Sequence, residues 1–194
     1  MIALSAGEIA AATGGTLHGV AADEIVGGPV VVDSRTTIPG SLFVAVRGEH
    51  LDGHDFGAAA IAAGAVAVLA ERPLPDVPTI VVNNGAIGSA DVDQPTVVAL
   101  AALAHAVSVR LTQAHLIAVT GSSGKTSTKD LMASMFASAG PTVAPRGSNN
   151  NEIGFPLTVL TAHEGTQYVV LEMGARKRGH IAYLCSIALS LIHI

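Results

Sequence analysis

The chain has 194 residues, enough for one large domain or two small ones. Apolar residues make up 49% and charged residues 13%, with much of the apolar content in Ala and Gly, which excludes a disordered chain and predicts small side chains packed between helices and a sheet. The formal net charge is −5 with no Lys/Arg block, so a nucleic-acid face is excluded and any anion must be attracted locally.

Met1-Ile2-Ala3-Leu4-Ser5 lacks the basic stretch and long apolar run of a signal peptide. Ser5 and Glu8 have capping-box spacing ahead of an Ala/Ile stretch, and Gly14-Gly15 ends that helix. Residues 30–33 are a β-branched strand, and Pro39-Gly40 a turn into a strand at 42–46. Residues 56–63 read as a helix stopped by Gly64, with strands at 66–69 and 79–82. The apolar run 58–70 is broken by Gly64 and is shorter than the about 20 residues needed to span a bilayer. Residues 85–95 turn polar and Gly-rich and are expected to link two domains, 1–84 and 96–188. After a helix at 96–110 come a strand at 116–119, a Gly-rich loop, a helix at 125–139 and a strand at 168–171 ending at Glu172. Alternating strands and helices predict an α/β layer structure. Cys185, the single cysteine, excludes an intrachain disulfide, fits a reducing cytoplasm, and has no evident base, so a structural role is expected.

The segment Thr120-Gly121-Ser122-Ser123-Gly124-Lys125-Thr126-Ser127 carries the chemistry. An apolar strand delivers a glycine-rich turn onto a helix N-terminus, where unpaired N–H groups and the helix dipole attract anions. Gly121 and Gly124 let the backbone approach phosphate oxygens, Lys125 pairs with them, and the Thr126 hydroxyl suits Mg²⁺. The pattern is a shortened phosphate loop, because the position six before the lysine is Val119 rather than glycine. Glu172 ends an apolar strand expected to run parallel beside the loop strand, and a carboxylate there can hold Mg²⁺. The loop thus predicts ATP and Mg²⁺ as ligands.

Three segments, Thr120 to Thr126, Asn149-Asn150-Asn151-Glu152-Ile153-Gly154 and Leu171-Glu172-Met173-Gly174-Ala175, resemble the Mur ligases. Asp33-Ser34-Arg35, Pro39-Gly40-Ser41-Leu42-Phe43 and Asp52-Gly53-His54-Asp55-Phe56 are similar to that family's uridine-nucleotide-binding domain. The resemblance implies a small α/β uridine-nucleotide domain followed by a partial, parallel-sheet ATP-binding domain. It also implies a reaction: ATP phosphorylates the carboxylate of UDP-N-acetylmuramoyl-tripeptide, and the amine of D-alanyl-D-alanine attacks the acyl phosphate, in peptidoglycan precursor synthesis. Lys125, Glu172 and Asn151 are then catalytic. Ser34, Arg35 and His54 hold the uridine-diphosphate substrate, and either Asn150 or Asn151 lies near the γ-phosphate or the substrate. A cytoplasmic enzyme, monomeric at full length and without nucleic-acid or membrane partners, is implied. A related ligase adding a single amino acid, a P-loop phosphotransferase and a non-catalytic nucleotide-binding module are the competing readings.

The family's later elements, including a carbamylated lysine and the amine-receiving domain, are not in the chain, so inactivity of this portion alone is expected. Residues 189–194 equal the translation of a transposon end and are expected to be a non-native tail.

Overall fold

A computed structural model describes residues 1–83, 92–145, 147–188 and 192–193. It divides into two compact units, Met1–Leu103 and Ala104–Ile194. Residues 85–91 of the linker expected at 85–95 lie outside the described residues, as does residue 84.

In the first unit, β1 (Leu4–Ser5) leads into α1 (Ala6–Thr13) through the expected capping box. Glu8 N–H donates to Ser5 Oγ at 3.1 Å, and Ser5 N–H donates to the Glu8 carboxylate at 2.8 Å. Gly14 ends the helix in the left-handed region, φ 67°. β2 (Thr16–His18), β3 (Ile25–Val26) and β4 (Val30–Val31) follow, then a 3₁₀ turn at Ser34–Thr36 and β5 (Leu42–Val44). A second 3₁₀ turn, Gly53–Phe56, runs into α2 (Gly57–Ala62), and β6 (Ala67–Ala70) and β7 (Thr79–Val81) complete the unit's strands.

The main sheet has the order β2-β7-β6-β5-β4; β2 is antiparallel to β7 and the other pairs are parallel. β5, β6 and β7 are buried along their whole length, which suits parallel strands covered on both faces. Phe43, Ala60, Val68 and Val77 form a core cluster, each large side chain contributing about 1.5–3 kcal/mol on burial. β1 and β3 form a separate antiparallel pair. β1 and β3 were not foreseen, being too short to carry periodicity, whereas β4 falls in the strand expected at 30–33.

α3 (Pro95–Arg110) follows, and the division between the units falls within it. The second unit contains β8 (His115–Val119), α4 (Lys125–Ala137), β9 (Thr142–Val143), α5 (Gly154–Val159), β10 (Tyr168–Glu172), α6 (His180–Ile187) and β11 (Ile192–His193). Its sheet is parallel throughout, in the order β11-β8-β10-β9. The expected neighbouring of β8 and β10 is observed, and their register pairs Val119 with Glu172. Both strands therefore end at the same level, the edge where parallel sheets bind ligands. Of residues 189–194 only 192–193 are described; they pair with Ile117 and Ala118.

Candidate functional site

Beyond Val119 the chain leaves the second unit's sheet through the glycine-rich loop. Gly121 has φ 149° and Gly124 φ 76°, values that favour glycine, and Gly124 caps α4 in the left-handed region. A side chain at Gly124 would meet nothing within 4 Å, so its requirement is conformational rather than steric. The first turn of α4 points N–H groups without helical partners at the loop. Lys125 Nζ arches over the loop and donates to the Gly121 carbonyl at 2.8 Å.

Glu172 is 1% exposed and both its oxygens are engaged. Thr126 Oγ1 donates to Oε2 at 2.9 Å, and Asn150 Nδ2 donates to Oε1 at 2.8 Å. Thr120 Oγ1 donates to the Met173 carbonyl at 3.2 Å, tying the loop to the end of β10. Asn150 is also gripped by its backbone, since Gly174 N–H donates to its carbonyl at 3.0 Å. A Cβ at Gly174 would lie 2.9 Å from Asn150 Cγ. Of the two asparagines left open by the sequence, Asn150 faces the carboxylate. Asn151 Oδ1 accepts from Gly154 N–H at 2.7 Å and Ile153 N–H at 3.3 Å, starting α5.

A cavity of about 570 Å³ opens here, lined by Thr120, Gly121, Ser122, Lys125, Asn150, Gly174, Ala175 and Arg176. Ser123 and Ser127 are exposed and stand outside that lining. Arg176 was not singled out from the sequence, because nothing local distinguishes it from a surface cation. Cys185 Sγ lies 3.8 Å from Met173 Sδ, and burial pushes its thiol up from the usual range.

The first unit holds a cavity of about 480 Å³ lined by Val32, Asp33, Ser34, Arg35, Phe43, Val46, Gly48, Leu51, Gly53 and Phe56. Arg35 folds back on Asp33 as a two-pronged pair, Nε to Oδ1 at 2.9 Å and Nη2 to Oδ2 at 2.6 Å. These bonds, with one from the Arg35 N–H, lower the Asp33 carboxyl to about 2. The Arg35 side chain remains 87% exposed, so its unused donors face solvent. Gly53 is required by close approach, since a Cβ would fall 2.6 Å from the Val46 carbonyl oxygen.

His54 stands apart from the cavity it was expected to serve. It is 3% exposed; Nδ1 lies 2.5 Å from Asp52 Oδ1, and Nε2 accepts from Glu71 N–H at 3.0 Å. Nε2 is thus the acceptor and Nδ1 the proton carrier, and neither nitrogen is free for a ligand. His54 braces the 3₁₀ turn that presents Gly53 and Phe56.

Two family models match the chain in succession: "Mur ligase family, catalytic domain" over residues 29–118 and "Mur ligase middle domain" over residues 119–192. The chain belongs to the Mur ligase family. It is 48% identical, over 97% of its length and 40% of the relative, to UDP-N-acetylmuramoyl-tripeptide–D-alanyl-D-alanine ligase of Mycobacterium tuberculosis. The Escherichia coli enzyme of that name is 37% identical over 96% of this chain and 38% of its own. Among solved structures, MurF from Acinetobacter baumannii superposes with a TM-score of 0.84 at 31% identity, covering 98% of this chain and 40% of that one. MurF ligase from Thermotoga maritima in complex with ADP gives 0.68 at 35% identity, covering 82% and 35%. The chain spans about 40% of the length of these curated relatives.

Proposed function

We propose that this chain is the substrate-holding and ATP-holding portion of a ligase that joins D-alanyl-D-alanine to UDP-N-acetylmuramoyl-tripeptide during peptidoglycan precursor synthesis. Residues 1–84 take the uridine-nucleotide end of the tripeptide substrate and residues 96–188 take ATP. The observation that carries this reading is the meeting of the phosphate-loop hydroxyl of Thr126 with the buried carboxylate of Glu172 at 2.9 Å. Similarity over nearly all of this chain to about 40% of the length of enzymes of that name, and the ADP complex of the Thermotoga maritima relative, support it.

The donor set fits Mg²⁺. A hydroxyl and a buried carboxylate oxygen that meet at 2.9 Å are hard oxygen donors of the kind Mg²⁺ takes. Thr126 and Glu172 would hold the ion, with phosphate oxygens and water completing its shell. Bound Mg²⁺ would supply positive charge against the transferring phosphoryl group.

The other residues act by binding and orienting. Backbone N–H groups of residues 121–126 cradle the phosphates, and Lys125 leaves the Gly121 carbonyl to pair with them. A carboxylate is a poor electrophile; phosphorylation by ATP releases ADP and gives it a phosphate leaving group, which the amine of D-alanyl-D-alanine displaces. Asn150 fixes Glu172, and Asn151 fixes the turn that carries Asn150. Ser34 and the exposed donors of Arg35 grip the diphosphate of the uridine nucleotide, so that remote binding aligns the reacting carboxylate. His54 acts behind them through the turn it braces.

Titration calorimetry of the chain with ADP and with UDP-N-acetylmuramoyl-tripeptide, separately, tests the reading. Both ligands are expected to bind, ADP more tightly with Mg²⁺ than in EDTA. Absence of uridine-nucleotide binding would sink the assignment of residues 1–84, and magnesium-independent ADP binding that of Glu172.

A further inference from the structure

Lys129 is 0% exposed, an unusual state for a lysine, and the mechanism above gives it no task. We propose that Lys129 is a positioning residue that holds Asn150 against Glu172 by tethering the chain just before it. The proposal rests on the reading of Glu172 given above and adds a residue to it.

An ammonium removed from water is strongly destabilising unless its donors and charge are met. Here all three donors are used: Nζ donates to the Pro145 carbonyl at 2.8 Å and the Gly147 carbonyl at 3.1 Å, and pairs with Asp130 Oδ1 at 2.5 Å. Leu or Met would fill the same space without needing acceptors, so packing does not explain the charge. Its partners do. The two carbonyls belong to the segment that turns through Gly147, φ 68°, and reaches Asn150 three residues later. Asn150 is then caught from the other side by Gly174 N–H at 3.0 Å and by the Glu172 carboxylate at 2.8 Å. The segment is therefore held at two points, and Lys129 supplies the one that Asn150 itself does not make.

The placement on α4 adds a functional sense. Lys129 lies one helical turn beyond Lys125, so one rigid helix carries the phosphate grip in its first turn and the asparagine tether in its second. The position of Asn150 is thereby referred to the phosphate loop.

Two measurements on the K129M variant of the full chain test this. The first is amide hydrogen exchange without ligand. Gly174 N–H, which donates to Asn150, should exchange at least about fivefold faster, the value of one lost hydrogen bond, while Met173 N–H, which donates to Val119 at 2.9 Å, is unchanged. Equal change at both amides, or none at Gly174, overturns the proposal. The second is ADP affinity by calorimetry with Mg²⁺ and in EDTA. K129M should lose about tenfold of the magnesium-dependent gain, with affinity in EDTA kept, and the loss should vanish in an N150A background. A loss additive with N150A overturns the proposal. If even the unsubstituted chain fails to bind ADP, the nucleotide reading falls and the exchange measurement decides the tether alone. Should K129M not fold, K129Q, which keeps a donor, is expected to give the same Gly174 effect in smaller measure; no effect there is likewise contrary.

Discussion

Thr126 and Glu172, 46 residues apart in the chain, meet through a 2.9 Å hydrogen bond from the threonine hydroxyl to the carboxylate. The parallel register of β8 with β10 makes this possible, because it sets Val119 opposite Glu172 and so delivers both strand ends to one edge. The carboxylate is 1% exposed and, among the described residues, accepts from the neutral donors of Thr126 and Asn150, and on this the proposed cation role of Glu172 rests.

E172Q tests that completion. The amide keeps the size of the side chain but removes the charge. The magnesium-dependent gain in ADP affinity is expected to fall by at least about tenfold, while affinity in EDTA stays near that of the unchanged chain. Calorimetry in the two buffers reads both; an undiminished magnesium effect contradicts the role.

G174A should damage the same point sterically. Its Cβ would sit 2.9 Å from Asn150 Cγ and Oδ1, so the asparagine must move off Glu172. The expected cost is about 1–3 kcal/mol, read as a lower denaturation midpoint, together with a reduced magnesium effect. G27A is the control: a Cβ there meets nothing within 4 Å, and no change is expected.

The Asp33–Arg35 pair makes a pH prediction. Hydrogen bonds from the Arg35 side chain, then from its N–H, lower the Asp33 carboxyl to about 2. A depressed carboxyl contributes stability above the unfolded value of about 4 and loses it as pH falls towards about 2. By NMR the Asp33 carboxyl should titrate near 2. In R35M its midpoint should rise but stop short of the usual value, because the residue-35 N–H still donates, and uridine-nucleotide affinity should drop.

Tyr183 offers the opposite sign. Burial, followed by the charge of Glu152, raises its hydroxyl to about 12, and that oxygen has no hydrogen-bond partner among the described residues. A raised value means full stability below about pH 10 and loss as pH climbs towards about 12. Y183F removes an unpaired buried hydroxyl, so stability at neutral pH should be unchanged or higher. Urea denaturation at pH 8 and at pH 11 should show less alkaline weakening in the variant.

Much of the fold was legible because local rules act strongly in this chain. The Ser5–Glu8 capping box, the Gly14 and Gly64 stops and the strand–loop–helix at 116–139 each depend on neighbours within a few residues. β1, β3 and β9 were not legible: two residues show no alternation, and their pairing partners lie elsewhere in the chain. The Asn149–Asn151 run marked a site without saying which side chain turned inward.

By itself the sequence determined the phosphate loop, its shortened form, the strand-end glutamate and the α/β order, because these rest on local backbone geometry and on residue chemistry. Tertiary structure alone decided that Asn150 faces Glu172 while Asn151 starts a helix, that His54 spends both nitrogens inside the protein, and that Lys129 is buried. The contacts of Asn150 with Glu172, of His54 with Glu71 and of Lys129 with Pro145 and Gly147 join residues 16 to 22 positions apart, and no local pattern encodes them.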